Sequence, residues 1–206
     1  MKKTIILFLF SILYFSNTVK AQFIQGFGLT GGLTYCNQKL KIDSTGDALK
    51  YKYRFGSNTS IFVEYINHPY VHMVTELQFN QKGARDKITN TRYRVNYFSF
   101  NNFIKLRQEL YDVTPYILAG PRIEYHFNSA PGLPYKLFHL TASIGTGIEF
   151  LYWKPWVPFV EANWNPDLMK AYRDIFYTRR HNAYELRIGI KYVPRKAANC
   201  PKVYVK

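Results

Sequence analysis

The chain has 206 residues, and 28 Lys and Arg against 13 Asp and Glu give it a formal charge of +15. Aromatic residues make up 18% of it, mostly Tyr and Phe, a composition that favours strands over helices. Beyond the N-terminal segment no run of ~18 apolar residues occurs; this excludes a spanning helix but not a membrane barrel, whose strands alternate. Two cysteines, Cys36 and Cys200, are too few and too far apart in sequence for a disulfide framework or a metal cluster.

The first element is a targeting segment. Lys2 and Lys3 precede an apolar run from Thr4 to Phe15, and Val19-Lys20-Ala21 puts a small residue before Gln22. This predicts a secretory signal peptide over residues 1–21. An exported basic chain is expected to meet anionic lipid or polysaccharide, and no nucleic-acid motif is present.

Eight strand candidates follow: Phe27–Tyr35, Thr59–Ile66, Val71–Asn80, Tyr93–Leu106, Pro115–Phe127, His139–Tyr152, Trp156–Trp164 and Ala183–Val193. Each alternates and is rich in β-branched or aromatic residues. The connections after the first, third, fifth and seventh are long and polar. Those after the second, fourth and sixth are short. Strict alternation of this kind is the habit of outer-membrane barrels, with short periplasmic turns and long outer loops.

Parity sorts each strand into two faces. In the fifth, Ile117, Ala119, Pro121, Ile123 and Tyr125 oppose Leu118, Gly120, Arg122 and Glu124; in the eighth, Leu186, Ile188 and Ile190 oppose Glu185, Arg187 and Lys191. Glu64, Glu76, Glu124, Glu149, Glu161 and Glu185 fall on polar faces, with Lys105, Arg122 and Arg187, and glycines lie among them. A water-facing surface gains nothing from strand glycines, whereas a cramped eight-stranded interior needs small residues beside large ones. The charges are therefore expected inside, paired, with Arg122 and Arg187 as hubs for Glu124, Glu149 and Glu185, because each unpaired buried charge costs several kcal/mol. Pro121 is expected to force a bulge or a weakened ladder. The reading is an all-β, eight-stranded antiparallel up-and-down transmembrane barrel over residues 22–194, with 195–206 as a periplasmic tail.

The runs "YFSFNNFIKLR", "PYILAGPRIEY", "ASIGTGIEF" and "YELRIGIKY" resemble the four C-terminal strands of the PorT-like outer-membrane β-barrel family, and "GFGLTGGLTY" resembles its first strand. The resemblance implies an eight-stranded barrel in the outer membrane of Gram-negative bacteria. For the family's namesake it implies a part in protein secretion by the type IX pathway. It carries no catalytic residue across.

Other groups are weighed against plainer roles. His68, His72, His126, His139 and His181 lack metal-binding spacing and read as turn and rim histidines. His139 with Ser143, and His126 with Glu124, are the pairs that a lipid A-modifying enzyme would need. Lys82, Arg85, Lys87, Arg92, Arg173, Arg179 and Arg180 fall in the long connections and suit contact with anionic lipopolysaccharide. Tyr35, Tyr152, Trp153, Trp156 and Trp164 suit interfacial girdles. Cys36 and Cys200 are expected at opposite ends of the barrel and unbonded.

The function expected is non-enzymatic, a structural or accessory barrel in the cell outer membrane, needing no cofactor or metal. Its partners are outer-membrane lipid and lipopolysaccharide, with envelope or secretion proteins as further candidates. A narrow solute pore and a lipid A-modifying enzyme are the alternatives.

Overall fold

The computed structural model describes residues 24–42, 48–66, 68–85, 92–129, 137–169, 172–173 and 177–194. The expected signal segment over 1–21, the expected tail over 195–206 and Cys200 lie outside the described residues. The strands are β1 (Ile24–Ile42), β2 (Ala48–Lys50), β3 (Arg54–Tyr65), β4 (Val71–Arg85), β5 (Arg92–Arg107), β6 (Val113–Ser129), β7 (Phe138–Phe150), β8 (Trp156–Pro166), β9 (Tyr172–Arg173) and β10 (Tyr177–Tyr192). A 3-10 turn at Leu151–Trp153 joins β7 to β8.

Eight long strands pair with their neighbours in chain order, all antiparallel, and β10 closes on β1 from Phe27↔Tyr192 to Ile42↔Tyr177. The short β2 and β9 extend the sheet only at the long-loop end, beside β1 and β10. The result is a closed eight-stranded antiparallel barrel, as the alternation predicts. Closure leaves the spanning strands no free edge.

Several strands run further toward the long loops than the sequence pattern predicts. β1 continues to Ile42, β4 to Arg85, and β10 begins at Tyr177. There the apolar-polar alternation fades although the backbone ladder goes on.

The outer wall is apolar. Leu29, Leu33, Ile61, Leu77, Ile104, Ile117, Ile144, Leu186 and Ile188 are all more than half exposed. Rings border this band at both ends: Phe27, Trp156 and Tyr192 at the short-turn end, and Tyr35, Phe55, Phe98, Trp164 and Tyr184 at the other. Tyr184 and Tyr192 are eight residues apart on β10, about 26 Å along a strand and ~20 Å along a membrane normal at a usual tilt. Hydroxyls on this wall are occupied. Thr59 donates to the Thr30 carbonyl, Thr146 to the Tyr116 carbonyl, and Thr75 to Asn102. Lipid offers no partners of its own, so such bonds are required there.

The Pro121 expectation resolves as a weakened ladder. β5 and β6 pair at Asn101↔Arg122 and again at Ile104↔Ala119 in the same register, and the two pairs between them are missing. The bulge sits elsewhere, between Asn96 and Tyr97. Glycines make room within. A Cβ on Gly147 would lie 2.4 Å from the Tyr116 hydroxyl, and one on Gly189 would lie 2.4 Å from the Phe159 ring.

Candidate functional site

The barrel interior is the chemically dense part of the molecule, and its side chains stack in tiers. At the short-turn end, Lys191 Nζ lies 3.0 Å from Glu64 and 2.7 Å from Glu149. Lys105 bonds the same two carboxylates. His72 Nδ1 stands 2.5 Å from the other Glu64 oxygen, and Arg107, nearer the mouth, is 3.8 Å from Glu149.

An apolar layer comes next. Phe62, Val74, Phe103, Leu118 and Phe159 pack with Tyr116, and the Phe62 and Phe159 rings meet edge to face at 5.6 Å. The space left among these residues and their charged neighbours is about 20 Å³, close to the room one water needs. Tyr116 is the bridge through the layer. Lys105 Nζ sits 4.1 Å over its ring, and its hydroxyl donates to Glu161 at 2.8 Å.

The middle tier is held by two arginines. Arg187 bonds Glu76 at 2.5 Å and also Glu161, which accepts from Asn163 as well. Arg122 donates to Gln78 at 2.5 Å and to Glu185 at 3.2 Å. Glu185 further accepts from Gln78 at 3.0 Å and Asn80 at 2.6 Å. Asn101 donates to both Glu76 and Gln78, tying the two arginine groups together.

At the long-loop end Lys82 Nζ lies 2.7 Å from Glu124 Oε2 and 3.7 Å from Asp167 Oδ1. His139 Nε2 approaches the same two oxygens at 2.9 and 3.7 Å. Tyr97 packs edge-on against His126, His139 and His181. The free Cys36 thiol lies 3.8 Å from His181 Nδ1. Asp167 lies just beyond β8. Burial works against its charge, but the Lys82 ammonium and the neighbouring imidazoles outweigh that and hold the carboxyl below its ordinary range.

Glu124, His139 and Asp167 bring one ligand atom each within 4.8 Å of one another. That geometry resembles a metal site, but the Lys82 ammonium stands at the same oxygens. An incoming cation would have to displace it, so the cluster reads as an ion-pair group.

The nine residues placed inside by the sequence are all buried, and every one has a charged or amide partner. One partnership differs: Glu149 joins Lys105 and Lys191 rather than an arginine hub. Lys82 requires a correction. It is not an outer-loop residue but a fully buried lumen cation, because β4 runs five residues past Asn80 and carries Lys82 inward on the parity of Gln78 and Asn80. Arg85 is half-buried at the end of β4, and Arg92 pairs opposite it on β5. Arg180 is exposed at the rim; Arg179 lies on β10 and Arg173 on β9, paired with Thr178. Lys87 lies outside the described residues.

His72, His139 and His181 belong to the lumen, contrary to the turn and rim roles expected, and Asp167 lies buried with them. Their signal was parity. Asp167 continues the series Glu161, Asn163, Asn165, and His139 precedes Thr141 and Ser143 on one face. In the sequence the apolar layer is marked by Leu118 and Phe159, which share faces with Arg122 and Glu161.

A closed barrel with lipid-facing apolar walls, ringed by aromatics and charged within, has one known class of counterpart. This is the fold of an outer-membrane β-barrel. Solved structures agree. The Neisserial surface protein A, NspA, superposes with a TM-score of 0.51 at 11% identity, over 81% of this chain and 97% of its own. OprG of Pseudomonas aeruginosa superposes with a TM-score of 0.52 at 10% identity, over 85% of this chain and 100% of its own. By sequence, the chain matches no protein-family model and no curated protein.

Proposed function

We propose that the protein is a sealed, non-enzymatic barrel of the outer membrane with a structural or accessory role in the envelope. The observation that carries this is the apolar layer of Phe62, Val74, Phe103, Leu118 and Phe159, closed above and below by ion pairs. No continuous water path suits such an interior, which argues against the narrow-pore alternative. Burial of Glu124, His139 and Ser143 in the packed lumen argues against the enzyme alternative. Its loops and rim are then the surfaces through which it meets lipopolysaccharide and other envelope components.

The strand motifs that resemble the PorT-like family support a part in type IX protein secretion. Deletion of the gene followed by assay of secreted cargo tests that assignment. The sealed state is tested by insertion of the full chain into planar bilayers. The expected result is no stepwise conductance, with folded protein verified by heat-modifiable gel mobility. Reproducible open-channel currents would overturn it.

A further inference from the structure

The outer wall of β4 and β5 changes character in steps toward the long loops. The stack of Phe79, Phe98 and Phe127, with centroids 4.6 to 5.9 Å apart, marks the upper aromatic girdle. One outward step above it, Gln81 and Asn96 are paired across the strands; the next step holds Gly83 and Arg94, and the next Arg85. The wall thus passes from rings to amides to guanidinium groups within a few residues.

Arg94 is exposed, and its Nε donates to Asn96 Oδ1 at 3.2 Å, which lays the side chain along the wall. Arg85 Nε is buried without a hydrogen-bond partner, and neither Arg85 nor Arg94 meets a carboxylate among the described residues. Arg54 reaches over Gly83 to donate to the Tyr93 carbonyl at 2.9 Å. A Cβ at Gly83 would lie 3.1 Å from that guanidinium, and the φ of +158° lies in the region that favours glycine. Lys52 is joined to Arg85 by two backbone hydrogen bonds of 2.8 and 3.1 Å. The far side of the barrel differs. Near its long-loop ends β7 and β8 present Leu137, Pro166 and Leu168.

We propose that this β4–β5 wall binds the phosphate groups of a phosphorylated glycolipid, of the lipid A kind, in the outer leaflet. The inference rests on the outer-membrane reading above. The girdle fixes the depth of the wall in the bilayer. That depth puts Arg94 and Arg85 where headgroup phosphates lie, and the arginine fork suits a phosphate's oxygens. Acyl chains would then run down the apolar wall beneath Phe79 and Phe98.

The test uses the full chain, refolded in detergent and examined by native mass spectrometry. The probes are bisphosphorylated lipid A, the same lipid after enzymatic dephosphorylation, and inorganic phosphate. Retained adducts with the bisphosphorylated lipid alone are expected. Arg85→Glu/Arg94→Glu should weaken that binding about tenfold or more, and Arg94→Gln, a milder change at an exposed site, should weaken it less. Equal binding of the dephosphorylated lipid, or no loss in either variant, would overturn the assignment. Competition by inorganic phosphate at similar concentration would point to a free-phosphate site and overturn the lipid assignment too. Heat-modifiable mobility, recorded for each sample, reports separately on whether the barrel itself is formed.

Discussion

Lys82 shows how much one side chain's surroundings matter. In the sequence it stands within a basic stretch, "QKGARDK", and looks like loop surface. In the fold it is the ammonium that holds Glu124 and Asp167 together. Removing one partner of a buried pair strands the other charges, at a cost of about 3–5 kcal/mol. Lys82→Met is therefore expected to lower the urea-unfolding free energy by about that much, with part recovered in Lys82→Met/Glu124→Gln. A surface lysine would change it by roughly 0.5 kcal/mol or less, so the two placements are easily told apart. Among the described residues, seven carboxylates lie buried in the lumen against five Lys and Arg side chains. His72 and His139 stand against these acids at opposite ends of the barrel.

At the scale of the strand, legibility followed the environment. Where one face meets lipid and the other a packed interior, alternation is imposed on every residue, and the ends of β5, β6, β7 and β8 fall within two residues of the expected bounds. Above the girdle the outer face no longer meets lipid, so the apolar half of the pattern is lost from Gln81 to Arg85, although Lys82 and Ala84 remain buried. The charge network was legible for the same reason, since Glu on a lipid-spanning strand has only the lumen to enter. The identity of each ion-pair partner was not, because that depends on stagger between strands. Pro121 is a strand-scale device of its own. It removes a donor where β5 and β6 part for two pairs, close to the Gly120 approach to the Asn102 carbonyl. Pro121→Val restores an N–H and is expected to raise the unfolding midpoint slightly, by the ~1 kcal/mol of one hydrogen bond. A clear loss of stability would instead mark the interruption as required.

For the whole molecule, the apolar layer is the part that parity alone could not reveal. It is assembled from five strands, each contributing one or two inward apolar residues that look like noise within their own strand. Without it, the lumen would be polar from mouth to mouth. Truncating both rings that meet across it, in Phe62→Ala/Phe159→Ala, is expected to open a leak for small ions in planar bilayers while heat-modifiable mobility persists. If the double variant stays silent, the ion-pair tiers alone suffice to close the barrel.

The overrun of β1 and β10 has a consequence for reach. From Tyr35 and Tyr184 at the girdle their ladder continues seven residues, to Ile42 and Tyr177, a further ~23 Å of paired backbone at the usual rise. A hydrogen-bonded ribbon of that length behaves as a stiff mast rather than a tether. With the long-loop end outward, the paired backbone itself rises past the lipid headgroups, a rigid post rather than a slack loop.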